Sequence, residues 1–388
     1  MEVRKASPDD WVAIQKLFSI VYNQPRSEFS VDEGDPGIGH TWAVFEGAQP
    51  VSTVVSHEFA MSYDGAFVPM AGIGGVATLP EHRRRGHVRT LFRAAFDEMR
   101  ERAQVFSALF PFSFPYYRMF GYELAHTRDA YVLPLDAVDV RSRGGSLQRV
   151  EGAIDELRAV YDAFATGRNL AMERTDRMWE SRMKADVYRD QVFTYLHRDD
   201  AGRPRAYVTF HPERYRDDAY EALVRDIAFD GHDALRGLLA HVAVFPPHTR
   251  RARLALPSDV PLHALVPEPY VVEQTRSASM MARVADVPAA LEAKRWSGSG
   301  ELVVRVRDDG MDWNDGIFVV EWDAGQARAG QTTREPQITA DVRALSRLLC
   351  GYVDAGTAAR CGFIESTLEP EELSRLLPAK PRYQNDPF

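Results

Sequence analysis

The chain has 388 residues, 45% of them apolar and 11% aromatic, too long for one ordinary core and ordered enough for two or three domains. Its formal net charge of −9 argues against a general nucleic-acid or membrane-surface binder and mildly favours a cationic small substrate. Cys350 and Cys361 have neither metal-ligand spacing nor a disulfide framework, so no metal is expected; the start lacks a signal-peptide region and no run reaches membrane-span length, so a cytoplasmic protein is expected.

A short strand, Glu2 to Lys5, leads into a helix with Ser7 as N-cap, Pro8 at the first position and Asp9 and Asp10 on the dipole. Trp11, Ile14, Leu17, Phe18 and Val21 form its apolar face. The polar stretch from Asn23 to Gly39 carries Glu28, Asp32, Glu33 and Asp35, and reads either as a solvated loop or as an acidic lip over an amine-binding cleft. Strands follow at Thr41 to Glu46, Pro50 to Ser62 and Ala66 to Leu79, with Asp64-Gly65 as a hairpin turn.

Next comes Gly75-Val-Ala-Thr-Leu-Pro-Glu-His-Arg-Arg-Arg-Gly-His-Val-Arg89, a strand end, an arginine turn and a helix start. Val88, Leu91, Phe92, Ala95, Phe96 and Met99 recur three and four apart, which predicts an amphipathic helix to about Arg102. A helix start has free N–H groups and positive partial charge, Gly86 allows close backbone approach, and Arg83, Arg84 and Arg85 add donors for phosphate oxygens. The unit reads as a pyrophosphate holder. It is neither a G-x-x-x-x-G-K-[ST] loop nor a G-x-G-x-x-G loop. It resembles the acetyl-CoA loop of the GCN5-related N-acetyltransferases, with Val88 where the last small residue is usual.

A strand from Val105 to Phe110 precedes Phe112-Ser-Phe-Pro-Tyr-Tyr-Arg-Met-Phe-Gly-Tyr122. Together with the arginine turn and the chain length, this end-piece resembles the Eis (enhanced intracellular survival) family of amine N-acetyltransferases. The resemblance implies a mixed α/β (α+β) fold: tandem GNAT acetyltransferase folds followed by a sterol-carrier-protein-like domain, here 1–145, 146–280 and 281–388. It implies acetyl-CoA as cosubstrate, with Val76, Ala77 and Thr78 on the strand that pairs with the pantetheine arm, in a gap between the strands at Leu79 and Val105. Arg84, Arg85, Gly86, His87, Val88 and Arg89 would surround the pyrophosphate, and Phe112 and Ser113 would lie beside the cofactor. Tyr117, aligned on Phe120-Gly121-Tyr122, matches the tyrosine that protonates the departing thiolate; Tyr116 is adjacent to it.

In the middle region a linker at 141–146 precedes a strand from Leu147 to Val150, helices around Ile154 to Phe164 and Met178 to Met183, a hairpin of Val192 to His197 with Arg205 to His211, a strand from Leu223 to Phe229 and a helix from Asp233 to Phe245. The turn equivalent to the arginine turn, Asp230-Gly231-His232-Asp233, has no arginine and would repel a pyrophosphate. A second acetyltransferase-like fold that no longer binds CoA is expected.

The last hundred residues predict helices at Asp286 to Glu292, Asp341 to Cys350 and Glu369 to Leu377, with strands at Glu301 to Arg307 and Ile317 to Trp322. Their apolar faces read as packing; fold analogy alone licenses no lipid site. Pro378, Pro381 and Pro387 keep the end from being helical. The resemblance implies that the carboxylate of Phe388 folds back as the general base. Pro387 stands where the family often has an acidic residue, with Asp386 one step back, so recognition of multiply charged amines does not carry over directly.

The expected activity is direct acetyl transfer to a primary amine of a small cationic molecule, aminoglycoside- or polyamine-like. Alternatives are a protein lysine or N-terminus as acceptor, or a non-catalytic CoA- or lipid-binding module. A homo-oligomer, a hexamer by the family's analogy, is expected, with neither nucleic acid nor membrane as partner.

Overall fold

The computed structural model describes residues 1–25, 38–139, 141, 144–216, 218–245 and 248–388. The acidic stretch with Glu28, Asp32, Glu33 and Asp35 lies outside the described residues, as do Ser142 and Arg143 of the linker.

Six strands come from the first third of the chain: β1 (Glu2–Lys5), β2 (Thr41–Glu46), β3 (Gln49–Tyr63), β4 (Ala66–Thr78), β5 (Phe106–Leu109) and β6 (Glu123–Pro134). Six more follow: β7 (Ser146–Arg149), β8 (Phe193–Arg198), β9 (Pro204–Arg216), β10 (Ala219–Phe229), β11 (Thr249–Leu256) and β12 (Glu273–Val284). Among the described residues these twelve form one continuous sheet, ordered β1-β2-β3-β4-β5-β12-β6-β11-β10-β9-β8-β7. The two halves exchange strands. β12 is antiparallel to β5, Met281 opposite Leu109, and antiparallel to β6 on its other side, Thr275 opposite Ala130. β6 in turn pairs with β11, Leu254 opposite Tyr131. The segments 1–145 and 146–280 therefore share a sheet.

Three helices frame the first half: α1 (Trp11–Tyr22), α2 (His87–Glu101) and α3 (Phe114–Arg118). A short 3-10 turn, Pro8–Asp10, precedes α1, with Ser7 N–H donating to Asp10 Oδ2 at 2.8 Å and Arg4 forking onto the same carboxylate. Of the expected apolar face of α2, Leu91, Phe92, Ala95, Phe96 and Met99 are buried against β2, β3, β4 and the aromatic end-piece, whereas Val88 is half-buried.

The C-terminal unit is a five-stranded sheet ordered β15-β14-β13-β16-β17, from β13 (Gly300–Arg307), β14 (Gly316–Asp323), β15 (Gln326–Gln331), β16 (Ile338–Asp341) and β17 (Glu365–Ser366). Its helices Val287–Ala293 and Val342–Leu349 start on the aspartates Asp286 and Asp341, which accept from the N–H groups of Ala289 and Ala344 at 2.9 and 2.8 Å. One apolar cluster runs from this sheet through Val284 and Ala282 of β12 to Phe106 and Met70, so the third unit packs against the seam of the large sheet.

Candidate active site

The site begins where β4 and β5 part. They pair in parallel from Met70 opposite Phe106 to Ile73 opposite Leu109. β5 ends there, whereas β4 continues to Thr78 against β3 alone. The register of β3 and β4 shifts between Thr53 and Val55, a bulge at which Gly75 takes φ +53°. A methyl group on Gly75 would lie 2.4 Å from Val55 Cγ2, so both conformation and space require glycine. Past the bulge, Leu79 N–H donates to Val51 O at 3.0 Å. Backbone direction alternates along a strand, so the N–H groups of Val76 and Thr78 face the gap instead. The Tyr22 hydroxyl donates to the Val76 carbonyl at 3.3 Å from across that gap.

The arginine turn caps the gap. Arg84 and Gly86 both have positive φ, 62° and 83°, which swings the chain into the start of α2. The first N–H to return into the helix is that of Thr90, to Gly86 O at 3.2 Å, leaving the amides of His87, Val88 and Arg89 at the open helix end. A methyl group on Gly86 would meet nothing within 4 Å, so space above it is free for a ligand. Arg85 is tethered, donating to Glu81 O at 2.9 Å with Glu46 at 3.8 Å, while Arg84 and Arg89 are exposed. Burial lowers the pKa of His87, with His82 and Arg85 adding to the effect. A neutral ring adds no further positive charge beside Arg85.

These residues line a cavity of about 860 Å³. Of the residues expected from the sequence, Val76, Thr78, Arg84, Arg85, Gly86, His87, Val88, Arg89 and Phe112 line it. Ala77 and Ser113 do not: Ala77 turns its methyl into the core behind the strand, and Ser113 is the N-cap of α3. Val21, Tyr22 and Met119 line the cavity and were not foreseen. The signal for Tyr22 was weak, an aromatic one residue past the last apolar position of α1.

Tyr117 is buried, 3% exposed, on the floor behind the cavity. The Phe112 and Tyr116 rings pack on its edge, centroids at 5.2 and 5.3 Å. It is Tyr116 that lines the cavity. Burial raises the Tyr117 pKa well above the ordinary phenol value, and the neighbouring phenols of Tyr22, Tyr116 and Tyr122 raise it further. The turn behind it is held from β12: Arg283, fully buried, donates to Phe120 O and to Asp308 Oδ2, both at 2.5 Å. Gly121 makes room, since a methyl there would lie 2.8 Å from Arg283 Nη1.

The chain end returns to the same fork. Phe388 packs between Phe59 and Phe110, ring centroids 5.2 Å away in each case. One oxygen of its carboxyl group lies 3.8 Å from where a methyl group on Gly74 would stand, directly beyond the last β4–β5 pair. Asp386, one step behind the position where the family often has an acidic residue, lies 1% exposed among arginines. The equivalent turn of the second half differs as expected: Asp230 pairs with Arg205 at 3.0 Å and Asp233 with Arg236 at 3.1 Å. Among the described residues no cluster of three or more His, Cys, Asp or Glu is arranged to hold a metal, and no helix is long and apolar enough to cross a membrane.

Residues 2–125 and 170–284 each match an acetyltransferase (GNAT) domain, and residues 287–385 match a sterol carrier protein domain. N-acetyltransferase Eis of Mycobacterium tuberculosis is 26% identical over 413 aligned residues, covering 97% of this chain and 96% of its own. The chain is similar along almost its whole length to the Eis N-acetyltransferases. An uncharacterized N-acetyltransferase of Streptomyces griseus is likewise 26% identical, over 92% of this chain and 93% of its own. In fold, a GCN5-related N-acetyltransferase of Anabaena variabilis superimposes over the whole of both chains with a TM-score of 0.87 at 20% identity. Eis1 of Mycobacterium abscessus does so with a TM-score of 0.82 at 20% identity. The chain is thus an N-acetyltransferase that uses a cosubstrate of acetyl-CoA type, with two GNAT folds and a sterol-carrier-like unit. The open amides, the free space over Gly86 and the exposed arginines fit a pyrophosphate, and the unpaired edge of β4 fits an amide-bearing arm.

Proposed function

We propose that the chain moves the acetyl group of acetyl-CoA directly to a primary amine of a small cationic molecule, of aminoglycoside or polyamine kind. Acetyl-CoA supplies the thioester. The turn from Arg84 to Arg89 holds its pyrophosphate, and the N–H groups of Val76 and Thr78 orient the arm. An alkylammonium of pKa about 10 must lose a proton before it attacks, and the Phe388 carboxylate accepts it, directly or through water. Backbone donors on the Val76 strand polarise the acetyl carbonyl, and Tyr117 gives its proton to sulfur as charge develops there. In this reading 1–145 is the catalytic domain, 146–280 a degenerate one that walls the cleft, and 281–388 the unit that delivers the tail.

The observation that supports this reading is the Phe388 carboxyl beside Gly74, at the fork whose other arm carries the arginine turn. Incubating the chain with acetyl-CoA and a panel of an aminoglycoside, spermidine and a lysine peptide, with free thiol as readout, tests it. Thiol release with the small amines, lost in Tyr117→Phe and on deletion of Phe388, is expected. Full activity in both variants, or turnover of the peptide alone, would retire the proposal. Assembly into a hexamer is proposed with it, and light scattering reads the number directly.

A further inference from the structure

We propose that Asp386 is a positioning residue for the terminal carboxylate, an inference that rests on the reading of Phe388 as the base. Asp386 is buried, and its Oδ1 accepts from Arg174 Nε at 2.9 Å and from Arg182, while Oδ2 accepts from the Tyr161 hydroxyl at 3.1 Å. Arg174, wholly buried, also forks onto Asp226 at 2.7 and 2.8 Å. Two arginines face two aspartates, so the cluster is close to neutral. It therefore acts on a base two residues away through geometry more than through field.

A buried ion cluster is a weak source of stability compared with apolar packing of the same volume; its attested use is to fix one arrangement over others. Here the fixed object is the last turn of chain. Pro387 sets its own φ near −65° and keeps Asp386 extended, so little rotation remains between the anchor and the carboxylate. Beyond Pro387, the Phe388 ring is seated between Phe59 and Phe110. The carboxylate is thus held from both sides, by ions at residue 386 and by aromatic packing at residue 388. Burial of Asp386 also removes it from contact with any acceptor.

The full chain, Asp386→Asn, Pro387→Gly and a form lacking Phe388 are compared by steady-state kinetics with spermidine, by CoA titration calorimetry and by hydrogen–deuterium exchange of the 378–388 peptide. Pro387 is exposed and outside the ion cluster, so Pro387→Gly tests the link without disturbing the fold. In Asp386→Asn we expect faster exchange confined to the tail, unchanged CoA affinity, and kcat lowered about a hundredfold, the scale of an ångström of misplacement. Pro387→Gly should lower kcat while Tyr383, whose N–H donates to Asn169 O at 3.1 Å, stays protected. A protected tail with wild-type kcat in Asp386→Asn overturns the proposal. So does loss of CoA affinity with faster exchange throughout the sheet, which would mark a general folding role. If the form lacking Phe388 keeps full activity, the base reading falls and takes the catalytic half of the proposal with it; tail-confined exchange in Asp386→Asn would then still report the anchor.

Discussion

Gly72 and Phe388 share one small volume: a methyl group on Gly72 would lie 2.8 Å from Phe388 Cδ2 and 2.7 Å from the Phe59 ring. Glycine at this β4 position is therefore the seat of the chain end. Gly72→Ala should push the Phe388 ring out and lower kcat at least about tenfold, since a small misplacement of a reacting group is costly. CoA affinity, which the proposed function assigns to residues farther along β4 and on α2, should hold. A kinetic split between kcat and CoA dissociation constant checks this.

Tyr117→Phe should cut kcat by about 10² to 10⁴, the usual contribution of a positioned acid. Burial raises the Tyr117 pKa above that of a free phenol, so its proton is retained through neutral and mildly alkaline pH. The wild-type profile of kcat/KM should consequently show no loss on the alkaline side up to about pH 10. A fall well below that pH, persisting in Tyr117→Phe, would assign the proton to another group.

Arg84 is exposed with a backbone held at φ 62°, and its side chain is free to meet an anion at the cavity mouth. Arg84→Ala should weaken CoA binding about tenfold, one charge-assisted contact, with little change in kcat at saturation. The difference from wild type should shrink as salt rises. Isothermal titration at two ionic strengths reads both effects.

Arg283→Ala would leave Asp308 buried without its guanidinium and the Phe120 carbonyl without a donor. Loss of one partner of a buried ion pair costs about 3–5 kcal/mol. Denaturant unfolding should show that loss, and Arg283→Met should lose nearly as much because Asp308 stays uncompensated.

His126 supplies a stability slope with pH. Burial lowers its pKa to about 4, and Arg382 of the returning tail adds to the shift. The unfolded chain takes up the imidazole proton near pH 6.5, whereas the folded chain stays neutral until about pH 4. Stability should therefore be full above the unfolded value and fall as pH drops through that window, by about 3 kcal/mol from this residue. His126→Gln should flatten that portion of the curve in denaturant titrations at pH 7 and pH 4.5.

The arginine turn, α2 and the hairpin of β3 and β4 were legible because periodicity, turn chemistry and helix-start chemistry all pointed the same way over Gln49 to Glu101. The cavity is built from them, which is why nine residues singled out from the sequence line it. The strands β6, β11 and β12 were not read. Their burial depends on neighbours far along the chain, and β12 is polar over its first half, Glu273 to Ser277, becoming apolar only where it meets β5. Arg283 stayed hidden for the same reason: a lone arginine in a strand gives no sign that it will be wholly buried. Asp386 was legible as an acid near the chain end, but its partners Arg174 and Arg182 lie some two hundred residues away and share no local pattern with it.

Inserting β12 between β5 and β6 has a practical consequence for anyone seeking a minimal enzyme. A fragment ending near residue 145 would carry the arginine turn and Tyr117, yet would expose the β5 edge along Ser107 and Leu109 and lack Arg283 altogether. The first half is not a portable cassette; excision or grafting has to bring Glu273–Val284 along, or supply a surrogate strand.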